Sequence, residues 1–87
     1  MIECEVVIKN RTGLHTRPAA TLVKTASQFA SEFYIYKDGM EINGKSIIGV
    51  MTLAAEQGSK LLLKFEGEDE AAAAGAIMDL FDGGFGE

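Results

Sequence analysis

Hydrophobic and polar positions alternate at the start of the chain, with Ile2, Cys4, Val6 and Ile8 on one side and Glu3, Glu5, Val7 and Lys9 on the other. That period of two predicts a half-buried strand over 2–9. Across 16–30 the period lengthens: Ala19, Leu22, Val23, Ala26, Phe29 and Ala30 recur every three or four residues, the stripe of an amphipathic helix. The aromatic and β-branched run Glu32–Lys37, the Asp38-Gly39 turn and Met40–Ile42 predict a tight hairpin. Asn43-Gly44 is a second turn signal, after which Ser46–Leu53 is apolar nearly all round, a short helix with Ser46 suited to cap it. Gln57-Gly58-Ser59 breaks the chain, and Leu61, Leu63 and Phe65 alternate through a last strand, Lys60–Glu66. Asp69 and Glu70 then suit the positive start of a helix with apolar positions Ala73, Ala76, Ile77, Leu80 and Phe81. Gly83-Gly84 stops it, leaving the tail Phe85-Gly86-Glu87.

The resulting order, β-α-β-β-α-β-α, predicts an α+β fold of two layers, with three helices on one face of a four-stranded sheet. A helix joins strands one and two, and another joins strands three and four, so each pair runs in the same direction through a right-handed crossover. Strands two and three form a hairpin. The economical arrangement puts strand four antiparallel between strands one and two, giving an antiparallel sheet of order 1-4-2-3, an open-faced β-sandwich whose other face meets solvent.

Composition narrows the class. The 87 residues make one domain, 1–87, and 47 % apolar residues are ample for a single core. No apolar run is long enough to span a bilayer, no signal peptide is visible, and the single cysteine, Cys4, forms no internal disulfide and falls on the buried side of its strand. These features predict a cytoplasmic protein that does not insert into membranes. The net charge of −5 argues against nucleic acid as a partner. The charge is uneven: Glu66, Glu68, Asp69 and Glu70 lie late in the chain, whereas Lys9, Arg11, Arg17 and Lys24 lie early, so the region around His15 is locally positive and suits an anionic group or an acidic protein.

The candidate chemistry sits where the strand pattern yields to the helical one. Asn10–Ala19 holds the only histidine and the only proline. Pro18 is pre-set for the first turn of a helix and needs no amide partner there. His15 and Arg17 therefore flank a helix start, where free N–H groups and the dipole attract anions. Gly13 permits an unusual backbone next to them. No second histidine, cysteine cluster or acidic ligand set accompanies His15, so neither a metal nor another cofactor is expected. A lone histidine is usually inert. Here an imidazole is a nucleophile that also leaves readily once phosphorylated, and Arg17 with the helix end can hold the charge in transit. A catalytic triad is absent, so the chemistry points to carriage of a phosphoryl group.

Gly13-Leu14-His15-Thr16-Arg17-Pro18-Ala19-Ala20 resembles the active-site segment of the HPr family, the histidine-containing phosphocarriers of the phosphoenolpyruvate-dependent sugar phosphotransferase system. Asn43-Gly44-Lys45-Ser46-Ile47-Ile48-Gly49-Val50-Met51 resembles that family's second signature, around a regulatory serine. Gly67-Glu68-Asp69-Glu70 and Gly84-Phe85-Gly86-Glu87 are similar to the family as well, and the likeness spans the whole chain. The resemblance implies the open-faced sandwich already reached. It also implies that His15 accepts a phosphoryl group on Nδ1 from enzyme I and passes it to the IIA domains of sugar-specific enzymes II. Arg17 would assist, the amides of Thr16 and Arg17 would donate, and Pro18 would fix the turn. Thr12 takes a supporting role, although its hydroxyl is equally suited to bonding its own loop backbone. A protein of this kind is a carrier, not a stand-alone enzyme.

Ser46 reads first as an N-cap. The resemblance adds that it is the target of an HPr kinase/phosphorylase in many bacteria, the modified form binding catabolite control protein A in some. Ile47, Ile48 and Met51 read either as core or as a docking patch; a short helix apolar all round leaves one stripe exposed, so Ile47 and Met51 are expected to be partly exposed beside Thr16 and Ala20, with Arg17 completing the partner surface. Two readings stay open beside the sugar-system carrier: a regulatory HPr-like module acting on transcription, and a carrier of a nitrogen branch with its own enzyme I.

Overall fold

A computed structural model describes residues 1–87. Its elements are β1 (Ile2–Val7), α1 (Thr16–Ala26), β2 (Glu32–Lys37), β3 (Met40–Asn43), α2 (Ile47–Thr52), β4 (Lys60–Glu66) and α3 (Glu70–Asp82), followed by a 3-10 turn at Gly84–Gly86. The four strands form one sheet in the order β1-β4-β2-β3, antiparallel at every junction. Register sets Cys4 against Leu63 and Leu63 against Ile35, so one face gathers the alternating apolar side chains of three strands. Ile35, Leu63 and Phe65 are fully buried on that face under Leu22 of α1, Val50 of α2, and Ile77 and Phe81 of α3. The Phe33 and Phe65 rings stack at 4.7 Å between centroids, pinning β2 to β4.

The opposite face is polar and solvated. Lys64 bridges to Glu41 at 3.2 Å and lies over the Tyr36 ring at 5.8 Å from its centroid. Beside it the Glu32 carboxylate pushes the Tyr34 phenol above its ordinary pKa, since it disfavours a second negative charge.

The departures from periodicity are local. β1 stops at Val7, because Ile8 trades hydrogen bonds with the turn before β4 (its N–H to Ser59, its C=O from Gly58) instead of continuing the ladder. α1 ends at Ala26; the chain then turns through Ser27–Ala30, with Phe29 half-buried and Ala30 exposed. Cys4 is half-buried, enough for burial to push its thiol pKa up. On α3 the fully buried positions are Ala73, Ala74, Ile77 and Phe81, while Ala76 and Leu80 are half-buried at the edge of the stripe. Asp69 begins this helix without capping it by its side chain. Its carboxylate instead accepts from the Ala30 N–H at 2.8 Å, the Ser31 N–H at 2.9 Å and the Ser31 hydroxyl, fastening the start of β2 to the start of α3. The tail is ordered as well: Phe85 packs edge-on against Phe81 at 5.0 Å. No helix is long and apolar enough to cross a membrane, and no three His, Cys, Asp or Glu side chains converge as a metal site would require.

Candidate phosphoryl-accepting site

The site is built from the loop between β1 and α1. Asn10 is buried and its Nδ2 donates to the Gly13 C=O at 2.8 Å, folding the loop back on itself. Gly13 takes φ of +63°, and an added Cβ would lie 2.4 Å from the Ala55 oxygen, so both conformation and space demand glycine there. The Leu14 side chain is buried and its N–H donates to the Ala55 C=O at 3.0 Å. His15 follows as the N-cap residue of α1, in extended conformation, its side chain making no capping bond and exposed to solvent.

The first hydrogen bond of α1 runs from the Ala19 N–H to the His15 C=O at 2.8 Å. Pro18, buried in the first turn, has no N–H to offer. The amides of Thr16 and Arg17 have no earlier helical carbonyl to bind, so they are the turn's free donors. No acidic side chain occupies this turn, and Arg17 is exposed with no ion-pair partner. An anion carried on the imidazole thus finds free amides, the helix dipole and an uncommitted guanidinium.

Beside His15 lies a cleft of about 240 Å³ lined by Leu14, His15, Met51, Ala54, Ala55 and Glu56. Met51 also belongs to a shallower apolar hollow formed with Ile47, Ile48 and Thr52. The apolar face of α2 therefore runs into the histidine cleft through one shared side chain. Ile47, Ile48 and Met51 are 40 %, 76 % and 42 % exposed, whereas Val50 of the same helix is fully buried. The helix divides its apolar residues between core and surface, as a short all-apolar helix must. Thr16, Arg17 and Ala20 are exposed on α1, which packs against α2. Ser46 caps α2 as its sequence position suggests: its hydroxyl accepts from the Gly49 N–H at 3.1 Å and is half-buried.

The Thr12 hydroxyl does not bond its own backbone. It donates to the Glu87 carboxylate at 2.6 Å and accepts from Asn10 Nδ2 at 3.3 Å. Residue periodicity misses Asn10, Ala54, Ala55, Glu56 and Glu87 as members of the site's surroundings. Only Asn10 carried a local signal, an Asx residue three positions before a glycine turn.

Residues 2–82 match the family model described as "PTS HPr component phosphorylation site". The chain is 45 % identical to phosphocarrier protein HPr of Xylella fastidiosa over all 87 residues, covering 98 % of that protein. It is 47 % identical to the HPr-like protein Crh of Halalkalibacterium halodurans over 78 residues, which cover 90 % of this chain and 93 % of that one. Among solved structures, HPr of Thermoanaerobacter tengcongensis superimposes with a TM-score of 0.97 at 48 % identity, over 100 % of this chain and 98 % of that one.

Proposed function

The chain belongs to the HPr family of phosphocarrier proteins of the phosphotransferase system, and from that premise we propose that His15 is the residue that carries the phosphoryl group. The observation supporting this most is the exposed His15 imidazole at an unpartnered helix start, next to an uncommitted Arg17. The proposed route is a relay. Enzyme I, charged by phosphoenolpyruvate, donates its phosphoryl to Nδ1 of His15, and a histidine of a IIA domain then takes it. At each step one N–P bond breaks as another forms, in line. The chain supplies position and charge stabilisation: Arg17 faces the developing negative charge, the Thr16 and Arg17 amides donate, Pro18 holds the turn rigid, and Thr12 braces the loop from behind.

The apolar residues Ile47, Ile48 and Met51, with Thr16, Arg17 and Ala20, form the docking surface in this reading, since Met51 joins the exposed face of α2 to the histidine cleft. Ser46 stands at the edge of that surface. A phosphate placed there by an HPr kinase would add about two negative charges beside an apolar interface and oppose docking of enzyme I. Binding of the modified form to a catabolite control protein belongs to the same proposal. The protein acts in the cytoplasm, where phosphoenolpyruvate is available.

The test is incubation of the purified chain with enzyme I and phosphoenolpyruvate, read by intact mass, then addition of a IIA domain. The proposal expects one acid-labile phosphate, absent from His15→Ala, that moves to the IIA domain. A chain that stays unmodified while another HPr is labelled in the same mixture overturns it.

A further inference from the structure

Glu56 lines the same cleft as His15, and its place there is fixed by backbone. Its N–H donates to the Ser59 hydroxyl at 3.0 Å, and its C=O accepts from the Ser59 N–H at 2.9 Å, closing a tight turn. The residue before it receives the Leu14 N–H, and an added Cβ at Gly13 would come within 2.9 Å of the Glu56 Cα. The turn is thus seated directly on the histidine's own loop. The Glu56 side chain is exposed and makes no hydrogen bond or ion pair, yet it is the one acidic residue lining the cleft that contains His15.

A carboxylate with no cationic partner in a cleft that receives a dianion opposes the phosphorylated form and leaves the neutral imidazole untouched. Arg17 works in the opposite sense from the helix side. Resting on the carrier reading of His15, we propose that Glu56 sets how readily this protein gives up its phosphoryl group, by destabilising the phosphohistidine in the same cleft. Its carboxylate tilts the exchange toward donation, while Arg17 keeps the loaded form accessible.

Partition between two versions of the chain isolates this effect from docking, because at equilibrium the shared enzyme I cancels. Isotope-labelled wild type, loaded with phosphate and freed of phosphoenolpyruvate, is mixed with an equal amount of unloaded Glu56→Gln and a trace of enzyme I. In the exchange the N–P bond on one chain breaks as one forms on enzyme I, and the reverse step loads the other chain; nothing else is consumed. Intact mass reads the distribution. The expected result at low salt is enrichment on Glu56→Gln by about threefold, shrinking toward equality as salt shortens the screening length. A Glu66→Gln competitor, altered at a carboxylate outside the cleft, partitions equally. Equal partition for Glu56→Gln at low salt, or a bias that salt leaves unchanged, overturns the inference. If neither chain takes a phosphoryl group from enzyme I in the first place, it is the carrier reading that falls, and this inference with it.

Discussion

The Leu14 N–H donates to the Ala55 C=O at 3.0 Å, so the loop that presents His15 rests on the segment that leaves α2. Because α2 carries the exposed Ile47, Ile48 and Met51, this bond fixes the histidine relative to the apolar face beside it. His15 and the apolar face of α2 are held as one unit.

Gly13→Ala tests that seat. The substitution forces a side chain into φ of +63° and against the Ala55 oxygen. Conformation alone costs about 1–2 kcal/mol, and the overlap adds to it. Urea denaturation should show a loss of at least that size. Phosphoryl transfer should slow as well, although His15 and Arg17 remain. Unchanged stability would mean that the loop is not clamped on Ala55.

Ser46 caps α2, and the proposal gives it a second, separable role in regulation. Ser46→Ala should lower stability by about 1 kcal/mol through loss of the cap to Gly49. Ser46→Asp keeps a capping oxygen and so should keep most of that stability, yet should slow loading by enzyme I because its charge sits beside the apolar patch. Loading of Ser46→Asp at the wild-type rate would remove the regulatory part of the proposal and leave the cap.

Ile48 is 76 % exposed, so Ile48→Asp should alter folding by no more than about 0.5 kcal/mol. Transfer from enzyme I should nevertheless fail at low enzyme I concentration and recover as the concentration rises, raising KM and sparing kcat. An unaltered KM would place the docking surface elsewhere.

Asp69 makes stability depend on acid. The Ser31 hydroxyl, with the Ala30 and Ser31 amides, holds its carboxyl below the ordinary value; likewise the Gly67 amide lowers Glu70. A carboxylate depressed in the folded state stabilises it fully above the unfolded pKa and loses that contribution as pH falls through the folded value. Thermal melts of wild type and Asp69→Asn should differ most near pH 7 and converge below about pH 4, where the unfolded carboxylate takes up its proton. A difference constant down to pH 2 would contradict this.

Much of this fold is legible along the chain, because burial on one sheet face imposes a period of two on β1 and β4 and one buried stripe imposes a longer period on α1. Turn chemistry at Asp38-Gly39 and the two crossovers then lead to the sheet order 1-4-2-3, which the structure has. His15, Arg17 and Ser46 are legible for a different reason: each stands at a helix start, a place with its own local signature. What escapes is contact between distant turns. Nothing in the neighbourhood of Asp69 announces that it binds Ser31 rather than capping α3, and nothing near Gln57-Gly58-Ser59 places Glu56 in the cleft of His15. Likewise, Glu87 meets Thr12 in a tail whose Phe85 packs on Phe81. These are consequences of assembly, and local periodicity carries no trace of them.

The most direct test of the central claim is the location of the phosphoryl group on the loaded protein. Nuclear magnetic resonance of chain labelled with nitrogen-15 in its imidazole, recorded before and after treatment with enzyme I and phosphoenolpyruvate, should show phosphorus coupled to Nδ1 of His15. The amide signals of Thr16 and Arg17 should shift with it. Phosphorus on any other residue, or loading that leaves the His15 ring and both amides unmoved, would contradict the account.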